Sequence, residues 1–79
     1  MKEMPLLAVE IVSPKQGMYE IAEKVLLYFE LGVRSCWVVE PIIQAITVYA
    51  SIGQWETFTR GDVVDEKLGI RLPIDEIFA

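Results

Sequence analysis

An apolar run near the N-terminus constrains the fold of this chain more than any other feature. Residues 5–12 read Pro-Leu-Leu-Ala-Val-Glu-Ile-Val, and Ser13-Pro14 ends the run. A nearly continuous apolar run of this length indicates a strand that is buried on both faces of a sheet. Glu10 is the exception, because an ionised carboxylate inside such a strand requires a partner or a metal ion.

The next segment has the periodicity of an amphipathic helix. Beyond Gly17, apolar side chains fall on one side of a wheel turning by about 100° per residue, and Gly32 supplies a C-terminal stop. The apolar positions are Met18, Ile21, Ala22, Val25, Tyr28 and Phe29. Leu27 and Leu31 lie away from this stripe, so the helix would expose them. We expect a second copy of the chain, or polypeptide outside this sequence, to cover the two leucines.

Strand-like segments rich in β-branched and aromatic residues fill most of the remaining chain. They span residues 35–40, 45–50 and 54–59, and a short strand is predicted at residues 70–72. Residues 73–78 are predicted to form a single helical turn that Pro73 opens. The order strand, helix, strand, strand, strand predicts an α/β sandwich in which the helix crosses between the first two strands, which are parallel.

Histidine is absent, and Cys36 is the single cysteine among 79 residues. These facts exclude a disulfide framework, a Cys/His zinc site, and a Cys-His or Ser-His-Asp catalytic arrangement within the chain. Cys36 lies in an apolar strand and is interpreted as a small hydrophobic residue rather than a nucleophile. Any chemistry must therefore come from carboxylates, lysines and hydroxyl groups.

The net charge of −5 has the wrong sign for a protein that neutralises many phosphates of nucleic acid. The acidic excess is concentrated between Asp62 and Glu76, which we interpret as a solvated face. The N-terminus carries the charge pair Lys2 and Glu3 rather than the basic region of a signal peptide, and no apolar run has the length of a membrane span. We therefore predict a cytoplasmic protein that does not bind membranes.

Glu10 is the first candidate for chemistry. It shares a strand face with Ala8 and Val12, so that face offers no second carboxylate nearby. One interpretation is a structural glutamate at the end of a strand, which reaches solvent or the start of the helix. The other is a functional carboxylate, since carboxylates in unusual surroundings cluster at active sites.

Lys24 is the second candidate. Its spacing of four residues from Glu20 favours a surface ion pair on the helix. On the wheel, however, Lys24 lies near the Tyr28 edge of the apolar stripe, from which its flexible stem can bend toward Glu10. A carboxylate and a lysine that meet in this way are typical of a phosphodiester-cleaving site, although such sites normally use at least two acidic groups.

Four aromatic residues in the predicted strands are expected to pack in the core rather than form a platform for stacking bases. They are Trp37, Tyr49, Trp55 and Phe58. In a regular strand, Trp55 and Phe58 would point to opposite faces, which also argues against a platform.

Several short motifs occur in a fixed order along almost the whole chain. They are Val-Glu-Ile-Val-Ser-Pro at residues 9–14, then Glu20, Lys24, Tyr28, Gly32-Val33, Cys-Trp-Val-Val-Glu-Pro at residues 36–41, and Leu-Pro-Ile-Asp-Glu-Ile-Phe at residues 72–78. This set resembles a bacterial restriction-endonuclease family of the PD-(D/E)XK superfamily. The resemblance implies a restriction-endonuclease-like fold, which is a mixed β-sheet with a crossover helix, and Mg²⁺-dependent cleavage of DNA.

The resemblance also implies roles for individual residues. Glu10 would be the acidic, metal-binding residue of the (D/E)XK element. Val12 stands where the lysine of that element is expected, and Lys24 matches a lysine that has migrated to the following helix. Glu20 occupies a position where the family often has aspartate, and it would make a secondary contact.

One departure from the family pattern concerns the second metal ligand. The family places a Pro-Asp pair upstream of the acidic residue, but none of the nine residues before Glu10 is aspartate. We therefore predict the C-terminal half of a restriction-endonuclease-like domain, truncated at its N-terminus, which is inactive alone and forms a homodimer. The alternative is a non-catalytic oligomeric or interaction module of α/β fold, in which the exposed leucines mediate assembly.

Overall fold

A strand-helix-strand unit at the N-terminus forms as the sequence predicts. In the computed structural model, which describes residues 6–78, strand β1 spans Leu7–Ile11, helix α1 spans Met18–Glu30 and strand β2 spans Ser35–Glu40. Strands β1 and β2 are parallel, with Glu10 opposite Val38. The predicted start of the first strand at Pro5 and the charge pair of Lys2 and Glu3 lie outside the described residues.

Two further strands complete the main sheet. Strand β3 spans Ala45–Ser51 and strand β4 spans Gln54–Phe58. Each pairs antiparallel with the strand before it, which gives a mixed sheet of order β1-β2-β3-β4. The strands predicted at residues 35–40, 45–50 and 54–59 are therefore confirmed, and β1 lies at one end of the sheet that the described residues form.

A second, two-stranded sheet follows. Strand β5 spans Asp62–Asp65, strand β6 spans Ile70–Pro73 and the short helix α2 spans Ile74–Ile77. Strand β5 was not predicted from the sequence. Its two valines lie between aspartates directly after Gly61, so no alternation of apolar and polar residues indicates a strand. Val63 and Ile74 are buried in one cluster with side chains of β2 and β3, so this unit covers one face of the main sheet.

Helix α1 covers the other face. Val25 packs there in a cluster with Cys36 and Val38, and Ala8 and Val12 of the N-terminal segment join the same cluster. Cys36 is fully buried, as expected for a small hydrophobic residue. None of the helices that residues 6–78 form is long and apolar enough to cross a membrane.

The expectation that the first strand is buried on both faces is wrong. Val9 and Ile11 are 52% and 62% exposed. The α2 and β5-β6 unit packs mainly on β2 and β3, and among residues 6–78 no element covers the neighbouring face of β1, although Leu7 contacts that cluster. The apolar run therefore forms a strand of which only one face is covered, by helix α1.

Two further expectations are corrected by the packing. Trp55 is 59% exposed, because the helix packs over the other end of the sheet. Its ring contacts that of Tyr49, with centroids 5.6 Å apart and ring planes tilted by 37°. Trp37 is buried and Phe58 packs against the core, as predicted. Asp65 is only 2% exposed, so the acidic C-terminal segment is not a uniformly solvated face.

Candidate active site

Glu10 occupies the face of β1 that helix α1 covers. Its side chain is 15% exposed, so the carboxylate is neither in bulk solvent nor fully enclosed. Alternation along the strand places it between Ala8 and Val12, whose side chains pack under the helix. The site therefore consists of a single carboxylate between apolar side chains, and this carboxylate is partly accessible to solvent.

Two side chains of α1 converge on one oxygen of this carboxylate. Lys24 Nζ lies 3.4 Å from Glu10 Oε1. The Tyr28 hydroxyl donates a hydrogen bond of 3.2 Å to the same oxygen. Lys24 and Tyr28 are four residues apart and so lie one above the other on one face of the helix. Within residues 6–78, no side-chain hydrogen bond or ion pair involves the other carboxylate oxygen, Glu10 Oε2.

The observed ion pair decides between the two readings of Lys24. The expected surface pair with Glu20 is not formed in the described structure, and Lys24 pairs with Glu10 instead. Glu20 is exposed in the first turn of α1, where a negative charge interacts favourably with the helix dipole. The structure does not bring Glu20 to the carboxylate of Glu10.

Tyr28 is the site residue that sequence reasoning missed. Its position at the edge of the apolar stripe predicts packing in the core, but its hydroxyl donates a hydrogen bond to the Glu10 carboxylate. Burial raises the pKa of the Tyr28 hydroxyl, and the charge of Glu10 and its hydrogen bond raise it further. Tyr28 therefore remains a hydrogen-bond donor. In the sequence, the indication of this contact is that Tyr28 follows Lys24 by four residues and so lies on the same side of the helix.

Cys36 lies beside the site but does not take part in its chemistry. It pairs with Ala8 in the strand register and is buried beneath α1. Burial, and secondarily the charge of Glu10, raises the pKa of the Cys36 thiol to about 11. The side chain is therefore a neutral thiol at physiological pH, which is inconsistent with a nucleophile.

The donor set fits one side of a magnesium site. Mg²⁺ prefers oxygen ligands and is commonly held by one or two carboxylates together with waters and substrate phosphates. Glu10 Oε2 is a carboxylate oxygen of the kind that Mg²⁺ prefers. Across residues 6–78, no group of three or more histidine, cysteine, aspartate or glutamate side chains is placed to hold a metal ion. Any cation at Glu10 would complete its coordination with waters, substrate oxygens or a carboxylate from another polypeptide.

Two surface grooves lie away from this cluster. One lies between β3, β4 and β5, beside Trp55 and Lys67. The other lies beyond the carboxyl ends of β1 and β2, beside Pro14 and Ile42. Neither groove is lined by Glu10, Lys24 or Tyr28, so the cluster lies outside both grooves.

Comparison with known proteins identifies the family. No curated protein matches the chain. The fold is similar to the crystal structure of a "putative nuclease belonging to DUF820" from Anabaena variabilis, with a TM-score of 0.73 and 24% identity over 91% of this chain. The match covers 42% of that protein, so this chain spans less than half of its length. Residues 1–75 match the family model of Uma2, described as "Putative restriction endonuclease", and the chain therefore belongs to the Uma2 family.

Proposed function

We propose that this chain supplies the acid and lysine of a divalent-metal-dependent nuclease site. Glu10 is the metal ligand and Lys24 is the cationic group at the reacting phosphate. The observation that carries the proposal is the contact of 3.4 Å between Lys24 Nζ and Glu10 Oε1. Membership of a family described as restriction endonucleases supports the same class of reaction.

The two residues have complementary roles in this proposal. Glu10 offers Oε2 to the cation while Oε1 keeps its hydrogen bond from the Tyr28 hydroxyl. Mg²⁺, when bound, lowers the pKa of a coordinated water and neutralises charge on the phosphate. Lys24 is 41% exposed, so its ammonium group can turn from Glu10 toward the negative charge that develops on the phosphate in the transition state.

The proposed substrate is DNA, and we expect it to be bound weakly. The net charge of −5 opposes association with a polyanion. A cation on Glu10 would reverse the charge at the point of contact, so binding of DNA should depend on the metal. We infer that the isolated chain does not cleave DNA, because nuclease sites use more than the one carboxylate found here.

Fluorescence anisotropy of a labelled DNA duplex tests this proposal. Mn²⁺ should promote binding relative to EDTA, and Glu10→Gln should abolish the Mn²⁺ effect. Glu56→Gln is the matched control, because Glu56 is an exposed glutamate on β4 away from the site. Equal binding by wild type and Glu10→Gln in Mn²⁺ would contradict the proposal.

A plasmid-nicking assay separates binding from catalysis. We expect no nicking by the purified chain with Mg²⁺ or Mn²⁺. Nicking that disappears in both Glu10→Gln and Lys24→Met would uphold the site and refute the inferred inactivity. Nicking that persists in both variants would reveal a contaminating nuclease.

The exposed leucines favour a second candidate function, a non-catalytic assembly module. Leu27 and Leu31 are each 50% exposed on α1, as the wheel predicts. Apolar surface of this kind marks interaction sites in soluble proteins. Light scattering over a wide concentration range tests this candidate, and a protein that stays monomeric throughout would exclude it.

A further inference from the structure

The contact between Lys24 and Glu10 cancels the charge of the candidate site. Lys24 Nζ lies 3.4 Å from Glu10 Oε1, and the two groups carry equal and opposite charges. Among residues 6–78, Lys24 is the one side chain that forms an ion pair with Glu10. A divalent cation that approaches Glu10 Oε2 therefore meets a neutral pair rather than an isolated negative charge, and the nearby ammonium group repels it.

Tyr28 contributes no charge to the same carboxylate. Its hydroxyl donates a hydrogen bond of 3.2 Å to Glu10 Oε1, and burial raises the pKa of this hydroxyl, so Tyr28 stays neutral. The hydrogen bond orients the carboxylate without repelling a cation. The two partners of Oε1 therefore differ, because Tyr28 supplies orientation and Lys24 supplies a positive charge.

Lys24 is held loosely enough to move away from Glu10. Charge-assisted hydrogen bonds measure about 2.7–2.9 Å, and the separation of 3.4 Å is longer. The Lys24 side chain is 41% exposed, against 15% for Glu10, and its four-carbon stem is flexible. Ion pairs that are accessible to solvent in this way are weak. A phosphate group at the site can therefore compete with Glu10 for the ammonium group.

We infer that Lys24 couples the binding of a divalent cation to the binding of a phosphodiester. In the free site, the Lys24 ammonium group contacts Glu10 and opposes the cation. A bound phosphodiester attracts the ammonium group away from Glu10 and so removes this opposition. By linkage the effect is reciprocal, and a bound cation makes Lys24 more available to the phosphodiester. This inference rests on the proposed function, in which Glu10 binds the metal, and adds a control of the metal affinity.

A second source of coupling has to be separated from that of Lys24. A divalent cation commonly binds a carboxylate and phosphate oxygens at once, so metal and phosphodiester attract each other without any lysine. That direct attraction leaves the affinity for the metal alone independent of Lys24. Opposition by Lys24 has a different signature, because the affinity for the metal alone rises when the lysine is neutralised.

Isothermal titration calorimetry with Mn²⁺, in the absence of a phosphodiester, tests the opposition. Lys24→Met removes the charge and keeps an unbranched apolar stem. An opposite charge nearby changes the affinity of a carboxylate for a proton by about 10–1000-fold. Because Lys24 is partly exposed, we expect the lower end for Mn²⁺, with binding to Lys24→Met about tenfold tighter than to wild type. Unchanged or weaker binding by the folded variant would overturn the inference.

Two further lysine variants show whether the effect is local and electrostatic. Lys24→Arg keeps the charge, so its Mn²⁺ affinity should resemble that of wild type. Lys67→Met removes a positive charge from the turn between β5 and β6, where Lys67 donates to the Ala50 carbonyl oxygen, and its affinity should also be unchanged. Circular dichroism checks that each variant is folded. An equal rise in affinity for Lys67→Met or Lys24→Arg would overturn the inference.

Dimethyl phosphate tests the coupling itself, because it presents a phosphodiester and little else. Its presence should raise the Mn²⁺ affinity of wild type by at least about fivefold, the lower end of typical coupling between two sites. For Lys24→Met the rise should be smaller, because only the direct attraction between metal and phosphodiester remains. A titration without protein corrects for Mn²⁺ that the probe itself binds. Equal rises in the two proteins would overturn the coupling.

Glu10→Gln separates this inference from the proposed function. Mn²⁺ binding that is lost in Glu10→Gln but unaffected by Lys24→Met would keep the metal role of Glu10 and overturn the coupling. Binding that Glu10→Gln leaves unchanged, or no binding by either wild type or Lys24→Met, would overturn both. Tighter binding in Lys24→Met that disappears when Glu10→Gln is added would support both, because the lysine then acts through the Glu10 carboxylate.

Discussion

The Tyr28 hydroxyl donates a hydrogen bond of 3.2 Å to Glu10 Oε1, the oxygen that also contacts Lys24. The two helix residues therefore hold one carboxylate oxygen, and the other has no side-chain partner among the described residues. Because the helix orients the carboxylate, the geometry of the site depends on the packing of α1 against β1.

Tyr28→Phe should weaken metal binding without unfolding the protein. Outer hydrogen-bond partners of metal ligands are typically worth about 10–100-fold in affinity. We expect a loss of about tenfold in Mn²⁺ affinity, at the lower end because Lys24 still contacts the carboxylate. Isothermal titration calorimetry measures this effect. Tyr19→Phe is the control, since Tyr19 is on the same helix and 88% exposed. Equal affinities for the two variants would show that Tyr28 does not position Glu10.

Asp65→Ala should destabilise the fold markedly. Asp65 accepts from Trp37 Nε1 at 2.8 Å and from the Leu68 amide at 3.1 Å, and thereby ties β5 to the main sheet. Removing the buried acceptor leaves two donors unpaired, and we expect a loss of about 2–3 kcal/mol in the free energy of unfolding. Urea denaturation measures it.

Asp62→Ala is the control for that experiment. Asp62 lies 3.6 Å from Arg71, but both side chains are largely exposed, at 42% and 71%. Exposed ion pairs contribute little to stability, so Asp62→Ala should lower the free energy of unfolding by less than about 1 kcal/mol. Similar losses for Asp62→Ala and Asp65→Ala would contradict the structural role of the buried carboxylate.

Stability should fall in alkaline solution because of Cys36. Burial raises the pKa of this thiol from 9.0 to about 11 in the folded protein. The unfolded chain therefore loses this proton first, so the contribution of Cys36 is intact below pH 9 and disappears as the pH rises toward 11. Each unit of pKa difference corresponds to about 1.4 kcal/mol of stability. At about pH 10 the free energy of unfolding should therefore be lower than at neutral pH by on the order of 1 kcal/mol.

Cys36→Ala isolates this effect. Urea denaturation near neutral pH and at about pH 10 measures how far the free energy of unfolding falls between the two conditions. This fall should be smaller for the variant than for wild type, by on the order of 1 kcal/mol. Burial is the largest cause of the raised pKa of Tyr28 and of Tyr49, and the charge of Cys36 is a smaller one, so most of the contribution of the two tyrosines cancels in the comparison. Identical pH dependence in the two proteins would contradict the raised pKa of the thiol.

The main elements of the fold were predictable because each carries its own periodicity. The α1 stripe and the β-branched strands β2 and β3 specify their elements locally. Strand β5 was missed because its pattern is too short, and Asp65 was misread because its partner, Trp37, is 28 residues away in sequence. The exposure of Val9 was equally unpredictable, since nothing in a local pattern shows which neighbour covers a strand.

The candidate site was predictable in part for the same reason. Glu10 stands out against an apolar strand, and the wheel places Lys24 within reach of it. Tyr28 was missed because an aromatic side chain at the edge of an apolar stripe looks like core. The pairing of Lys24 with Glu10 rather than Glu20 depends on the crossover, which brings α1 over β1. The roles of Glu10, Lys24 and Glu20, the Mg²⁺ ion, the homodimer and the cytoplasmic location remain predictions.

The central claim is that Glu10 binds a divalent cation, and a Mn²⁺ titration tests it most directly. Electron paramagnetic resonance of free Mn²⁺ should show binding by wild type and by Glu56→Gln, and its loss in Glu10→Gln. Wild-type affinity in Glu10→Gln, measured on a folded protein, would contradict the assignment of this carboxylate as a metal ligand.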